Sequence, residues 1–111
     1  MSSPQANRRQ SDRFYPKGAP CVAIRQERFQ LDNISNEGIG IVIDGPDAFF
    51  IGQRLDSILF KDQEQERALN GIVSHISKDA QGFLCGIRFL FRGSRDFNYV
   101  KKLYLKLNRR P

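Results

Sequence analysis

Apolar and polar residues alternate through most of the chain between residues 21 and 91. A period of two places apolar side chains on one face of a β-strand and polar side chains on the other. The first two runs predict a short hairpin, and the third predicts a strand that ends at the turn-forming residues 44–47. The apolar positions of these three predicted strands are Val22, Ile24, Phe29, Leu31, Ile39, Ile41 and Ile43.

More apolar runs follow, each of strand length and not of helix length. They cover residues 49–51, 55–60, 69–76 and 83–91, separated by residues 52–53, a charged segment at 61–67 and a turn at 78–82. The last run is apolar on both faces, which predicts that another element covers its outer side.

Helical spacing of apolar residues begins after Ser94 or Asp96, either of which suits an N-cap. We expect this helix to be the element that covers the last strand. Six or so strands followed by one helix, without alternating helices, predict an all-β fold, a small antiparallel barrel. The single domain then divides into an N-terminal arm (1–20), a β-barrel (21–93) and a C-terminal helix (94–108).

Length and composition narrow the class of protein. With 111 residues, of which 40% are hydrophobic and 27% charged, the chain fits one globular domain. No apolar run approaches the roughly 20 residues of a membrane-spanning helix, so we expect a cytoplasmic protein without membrane insertion. Cys21 and Cys85 lie far apart in strand-like runs, which favours free buried thiols over a disulfide or a metal site.

The net charge of +6 favours an anionic partner. Arg8, Arg9 and Arg13 lie in a polar arm that lacks apolar periodicity, and we expect this arm to be mobile until a ligand orders it. Guanidinium groups bind phosphate or the O6/N7 edge of guanine through paired hydrogen bonds, and they stack on flat rings. Taken alone, the segment also fits an ordinary solvated basic terminus.

A polar segment at residues 32–40 joins the second and third predicted strands. Asn33 and Ser35 are one residue apart, so in an extended segment both side chains leave from the same side and can meet one ligand. Gly38 permits a positive φ or a close backbone approach. Locally, a simple Asx or Ser turn that stabilises a hairpin explains the pattern equally well.

Together the two segments resemble the PilZ family, whose pattern is RxxxR followed by [D/N]xSxxG. The first motif reads Arg9-Gln10-Ser11-Asp12-Arg13, and the second reads Asn33-Ile34-Ser35-Asn36-Glu37-Gly38. Apolar residues at positions 31, 39 and 41, and the segments 71–73 and 86–89, are similar to the family's strands as well.

The resemblance implies a six-stranded antiparallel PilZ-type β-barrel with a C-terminal α-helix, over about residues 8–108. It further implies a bacterial receptor that binds cyclic di-GMP as a ligand, needs no cofactor and signals to an unidentified effector protein. By analogy, Arg9 and Arg13 bind phosphate and guanine, and Asn33, Ser35 and Gly38 hold the ligand from the barrel. Arg8 corresponds to a position that allows a stacked pair of ligand molecules.

Other residues give little sign of chemistry. His75, the single histidine, lies on a predicted strand without a neighbouring metal-ligating cluster, so a structural or exposed role is favoured. We find no nucleophile beside a base, and expect neither catalysis nor a metal site. Two alternatives stay open: a ligand-independent interaction adaptor, and a basic barrel that binds RNA or single-stranded DNA through Lys101, Lys102 and Lys106. Nucleic acid is the less favoured partner.

Overall fold

The computed structural model describes residues 21–61, 66–79 and 82–108. These form six strands and one helix: β1 (Cys21–Ile24), β2 (Glu27–Ile34), β3 (Gly38–Ile43), β4 (Arg54–Lys61), β5 (Glu66–Asp79), β6 (Gly82–Leu90) and α1 (Ser94–Asn108). The predicted arm, and with it Arg8, Arg9 and Arg13, lies outside the described residues.

The strands close into a barrel in the order β1-β2-β3-β6-β5-β4. Every pair is antiparallel, and the pairing of Val22 on β1 with Phe60 on β4 completes the ring. Closure leaves no unpaired edge in the sheet formed by the described strands, which removes the usual route to edge-to-edge association. The prediction of an antiparallel six-stranded barrel with a C-terminal helix is confirmed.

Alternation along the strands fills the barrel interior, as the sequence predicts. Ile39, Ile41 and Ile43 of β3 point inward, while the residues between them lie on the outer face. The same core contains Cys85, where burial raises the pKa of the thiol to about 11. The two cysteines form no disulfide with each other, and Cys21 is only half-buried.

The hairpin between β1 and β2 turns through Arg25 and Gln26, whose φ angles are 54° and 72°. Two successive left-handed residues form the type of two-residue turn that matches the twist of antiparallel strands. Neither residue is glycine or asparagine, so this turn carries backbone strain. The Arg25 guanidinium lies 5.6 Å from the centroid of the Phe49 ring, a cation–π contact that helps to hold it there.

The prediction of a strand at residues 49–51 is wrong, because this segment forms turns. Phe49 is buried and packs against Phe29, with ring centroids 5.5 Å apart. Phe50 and Ile51 are exposed by 66% and 64%. Hydrogen bonds from the Phe50 amide to the Gln53 side chain, and from the Gln53 amide to the Phe50 carbonyl, close the turn.

Helix α1 packs against the barrel interior and not against the outer face of β6, contrary to our expectation. Its buried residues Tyr99, Val100 and Leu103 join the core cluster, and the Tyr99 ring meets the inward-facing Phe60 edge-on at 6.3 Å between centroids. The outer face of β6 therefore stays open at the exposed residue Arg88. No helix among the described residues is long and apolar enough to cross a membrane.

An ion cluster fixes the start of α1. Asp96, in its first turn, accepts hydrogen bonds from the backbone N–H and the guanidinium of Arg92 and from the guanidinium of Arg67 on β5. These bonds, with the Arg92 partner first, lower the pKa of the Asp96 carboxyl to about 2. Asp96 thus ties α1 to the barrel and satisfies the N–H of the residue two positions before the helix.

Candidate functional site

The turn between β2 and β3 is held by the hydroxyl of Ser35. This side chain is completely buried. Its Oγ accepts hydrogen bonds from the amides of Glu37 (3.1 Å) and Gly38 (3.3 Å), while the Ser35 amide donates to the Gly38 carbonyl at 2.9 Å. Because one hydroxyl serves two backbone donors, the turn has a defined shape before any ligand arrives.

The same turn lies tightly against β6. The amide of Phe89 donates to the Glu37 carbonyl at 2.9 Å, and Gly38 pairs with Arg88. A Cβ on Gly38 would overlap the carbonyl oxygen of Ile87. Gly38 is therefore required for the close approach of two backbones, which is one of the two roles that the sequence suggested.

Asn33 reaches the outer face of the barrel because the pairing of β2 with β3 shifts between Leu31 and Asn33. Such an irregularity changes which side chains point outward. Asn33 pairs with Gly40, its amide fills the space that a Gly40 Cβ would occupy, and its Nδ2 donates to Asp32 Oδ2 at 2.9 Å. A polar amide thus lies over Gly40 on the outer side of the barrel beside the turn, where it is only 9% exposed.

The pair Asn33 and Gly40 begins a row of cross-strand partners that continues over the next two strands. Gly40 pairs with Gly86 on β6, and Gly86 pairs with His75 on β5. The His75 ring lies over Gly86, with Cε1, Nδ1 and Nε2 all in the space that a Cβ there would need. Ser74 positions this ring, because its Oγ lies 3.3 Å from His75 Nδ1 and donates to the Gly86 carbonyl at 3.1 Å. The Asn33 amide and the His75 ring therefore cover the two paired glycines, Gly40 and Gly86, on neighbouring strands.

Comparison with known proteins agrees with this geometry. The family model described as PilZ domain matches residues 7–105. The chain belongs to the PilZ domain family. The prediction made from the RxxxR and [D/N]xSxxG motifs is therefore confirmed. No curated protein matches the chain.

Solved structures show the same PilZ fold at low sequence identity. The PilZ domain of YcgR from Escherichia coli, described with c-di-GMP, has a TM-score of 0.74 at 20% identity and covers 92% of both chains. The c-di-GMP complex of K. pneumonia MrkH has a TM-score of 0.74 at 18% identity, over 89% of this chain and 52% of MrkH. Bacillus subtilis MotI/DgrA, an inhibitor of motility, has a TM-score of 0.67 at 23% identity, over 93% of this chain and 53% of MotI. The chain spans about half of these two longer proteins.

The PilZ barrel brings together the three predicted site residues that the structure describes. Asn33, Ser35 and Gly38 lie in and beside one turn, and all three are buried. The Asn33 amide lies over Gly40 of β3, whereas Ser35 and Gly38 lie within the turn. Arg8, Arg9 and Arg13 lie outside the described residues, so their place in the site stays a prediction. Within the described ranges, no group of His, Cys, Asp and Glu side chains could hold a metal ion.

Sequence reasoning misses two residues that the PilZ barrel places next to the motif turn. The sequence favours a structural or merely exposed role for His75, yet this residue lies in register with Asn33 on the same outer row. Strand alternation in the sequence places Arg88 on the outer side of the last predicted strand, which we expect to be covered, yet it is exposed and pairs with the motif glycine Gly38. Only the register of β3, β6 and β5 shows what lies beside it.

Proposed function

We propose that this PilZ domain is a receptor for cyclic di-GMP that catalyses no reaction and passes the signal to a partner protein. The observation that carries the proposal is the preformed turn at residues 33–38, which presents Asn33 on the outer face downstream of the intact Arg9 to Arg13 motif. The solved YcgR and MrkH structures with c-di-GMP support the choice of ligand.

The chemistry of the ligand suits these residues. Cyclic di-GMP presents two phosphodiester anions and two guanines, and an arginine pair can bind phosphate, the guanine edge and a stacked ring at once. In this proposal Arg9 and Arg13 take those roles, and Asn33 binds guanine or phosphate through its amide on the outer side of β2. Ser35 and Gly38 contribute through the shape and backbone groups of the turn, since the Ser35 hydroxyl already binds two amides. Arg8 would hold a second ligand molecule.

The arm is long enough for this arrangement. Seven residues lie between Arg13 and Cys21 at the start of β1, and the eight Cα-to-Cα steps of an extended chain there span at most about 26–29 Å. The principal extents of the structure are 36, 32 and 25 Å. Arg13 can therefore reach an outer-face site from the start of the barrel, and Arg9 has four residues more.

A buried acceptor in the motif turn supports ordering of the arm on binding. Asn36 Oδ1 is enclosed but receives no hydrogen bond from the described residues, and an unsatisfied buried acceptor destabilises a structure. A donor from the ligand or from the arm would satisfy it. The interactions that form on binding then offset the entropy lost by the arm, and the ordered arm forms a new surface for the partner.

Isothermal titration calorimetry with cyclic di-GMP tests the proposal, with GTP and cyclic di-AMP as comparison ligands. We expect selective binding with one or two ligands per chain, and loss of binding in Arg9→Ala and Arg13→Ala. Arg28→Ala, which removes the same charge from an exposed position of β2, is the matched control. Absence of binding by the unmodified protein, or full affinity in both arm variants, would leave the ligand-independent adaptor as the better account.

The nucleic-acid alternative has one structural observation in its favour. Arg67, Arg95, Lys101 and Lys102 line an open groove of about 490 Å³ beside α1, with Asn98, Tyr99 and Leu105. Such a basic groove could follow a phosphate backbone. A titration with single-stranded RNA at rising salt concentration, with heparin as the comparison polyanion, tests this alternative to the cyclic di-GMP receptor. If the RNA binds no more strongly than heparin, specific nucleic-acid recognition by this groove is excluded.

A further inference from the structure

The exposed side of α1 carries three cations, Arg95, Lys101 and Lys102, that form no ion pair with a described residue. The exposed residues Arg95, Asn98, Lys102 and Leu105 recur at intervals of three, four and three, which places them on one face of the helix. From residue 95 to residue 105 this face extends over about 15 Å. It is the lining of the open groove of about 490 Å³ beside α1, here called the basic groove.

The basic groove has a fixed wall and an apolar end. Arg67 of β5 also lines it, and the guanidinium of Arg67 donates to Asp96 Oδ1 at 3.2 Å, so this side chain is held in place before any partner arrives. At the C-terminal end of the groove, Leu105 is exposed by 53%. A partner that fills the groove would therefore meet several cations and one apolar side chain.

Charge selects the occupant of the basic groove. The segments of this chain outside the described residues are themselves basic: residues 1–20 contain Arg8, Arg9, Arg13 and Lys17 against the single acid Asp12, and residues 109–110 are both arginine. A second copy that docked through the same groove would place like charges against each other. An acidic segment of another molecule is the complementary partner.

The lining of the groove favours an acidic protein helix over a nucleic acid. Bases stack on exposed aromatic rings, but Tyr99 in the groove is only 5% exposed, and Leu105 offers nothing to a phosphate. The spacing of three and four residues along α1 is the one that packs one helix along another. Since the described strands close into a barrel, a partner has no free edge there to extend with a strand of its own.

We infer that the basic groove is the docking surface for an acidic amphipathic α-helix of the partner protein. Carboxylates of that helix pair with Arg95, Lys101 and Lys102, and its apolar residues pack on Leu105. The inference rests on the proposed function, since it names the surface at which the receptor holds its partner. The groove provides a constant anchor, and the arm ordered by cyclic di-GMP provides the ligand-dependent part of the interface.

A synthetic peptide tests the groove directly. The probe is a fluorescent peptide of 15 residues, the length of α1, with Glu and Leu on one face at intervals of three and four and a side-chain staple that keeps it helical. The control peptide has the same composition in scrambled order. We expect fluorescence anisotropy with the full chain, with and without cyclic di-GMP, to show about tenfold tighter binding of the patterned peptide. Equal binding of both peptides would reduce the groove to a patch of positive charge and overturn the inference.

Lys102→Glu tests the charge of the groove, with Arg28→Glu as the matched control. Arg28 is exposed on β2 and has no ion pair with a described residue, so both variants change the net charge by the same amount. We expect Lys102→Glu to raise Kd for the patterned peptide about tenfold or more, because like charges then meet across the interface, and Arg28→Glu to change it less than about twofold. Equal weakening by the two variants would contradict docking at α1.

Leu105→Ala tests the apolar end of the groove. Its matched control is Ile51→Ala, which truncates another exposed apolar side chain in the turn before β4. We expect about fivefold weaker peptide binding in Leu105→Ala, because the leucine loses water-exposed surface on docking, and no change in Ile51→Ala. Thermal unfolding verifies the fold of each variant, since these side chains are exposed and should contribute little to stability. Unchanged affinity in Leu105→Ala would exclude the packing of an amphipathic helix.

Other occupants give different results. Single-stranded RNA that displaces the peptide, binds more tightly and is indifferent to Leu105→Ala would assign the groove to nucleic acid. A dimer detected by sedimentation and lost in Lys102→Glu would assign it to a second copy of the chain. Either result would overturn the inference.

Failure of this inference and failure of the proposed function can be told apart. If the protein binds cyclic di-GMP but not the patterned peptide, the receptor function stands and docking at the basic groove is wrong. If it binds the peptide but not cyclic di-GMP, the receptor function falls, and the groove serves the ligand-independent adaptor instead.

Discussion

The amide of Asn33 occupies the space above Gly40 on the neighbouring strand, where any larger residue would place its Cβ. Gly40→Ala should therefore push this amide away from its place on the outer face without disturbing the core, because the end of a side chain can move and a backbone cannot. We expect Kd for cyclic di-GMP to rise about fivefold, the value of one hydrogen bond of about 1 kcal/mol, with a change in unfolding free energy below about 1 kcal/mol.

The matched control for that experiment is Gly45→Ala, since nothing lies within 4 Å of a Cβ at Gly45. It introduces the same methyl group in the turn that follows the same strand. Wild-type affinity in Gly40→Ala, together with weak binding in Asn33→Ala, would contradict the link between the glycine and the position of the amide.

Gly38→Ala should lower the stability of the fold, and any loss of ligand binding should follow from that change. The added Cβ meets the backbone carbonyl of Ile87, so β3 and β6 must separate where they pair through Gly38 and Arg88. We expect a loss of about 2 kcal/mol or more of unfolding free energy, as for other overpacked sites, measured by denaturant unfolding with Gly45→Ala alongside. An unchanged denaturant midpoint would contradict this expectation and show that β3 and β6 can separate at this point with little loss of stability. Loss of ligand binding in Gly38→Ala is therefore no evidence for a direct contact.

The strands were predictable because the period of two is strong. Ile39, Ile41 and Ile43 alternate without interruption, and all three fill the interior. The apolar run at 49–51 misled the prediction, because only Phe49 contributes to the core while Phe50 and Ile51 face outward. Apolar content alone does not distinguish a buried strand from a turn in which a single side chain packs into the core.

The candidate site was predictable only in part. The motif at residues 33–38 can be read from the sequence because all its members lie within one turn. The proximity of Arg88 and His75 to that turn depends on strand register across β3, β6 and β5, and pairing irregularities near Asn33 and before His75 shift that register. A shift of one residue reverses every outward and inward assignment, so sequence spacing could not place these two side chains.

Gln26→Gly should stabilise the protein. Gln26 has a φ of 72° in the hairpin turn between β1 and β2, a region that costs a side-chain-bearing residue about 1 kcal/mol and glycine almost nothing. We expect the unfolding free energy to rise by somewhat less than about 1 kcal/mol, because glycine also gains entropy in the unfolded chain. The comparison is Gln30→Gly in the extended part of β2, which should lower stability. A lower melting temperature in Gln26→Gly than in Gln30→Gly would contradict strain in the turn.

The Asp96 cluster should make part of the stability depend on pH. Its pKa in the folded protein is lowered from 3.8 to about 2, first by the hydrogen bond from Arg92 and also by that from Arg67. A lowered folded pKa means that the ionised carboxylate stabilises the fold above about pH 4, and that this contribution is lost as the pH falls through about 2. The shift corresponds to roughly 2 kcal/mol of unfolding free energy.

Asp96→Asn should accordingly lower the unfolding free energy by about 2 kcal/mol at pH 7, and the difference from wild type should nearly vanish at pH 2. Denaturant unfolding at both pH values measures it, and Asp44→Asn, at an exposed position, is the control that should show little effect at either pH. A difference of the same size at pH 7 and pH 2 would mean that the shape of the side chain and not its charge joins α1 to the barrel. Because the hydrogen bonds of Asp96 are with Arg67 and Arg92 and not with the motif turn, its variant should still bind cyclic di-GMP at pH 7.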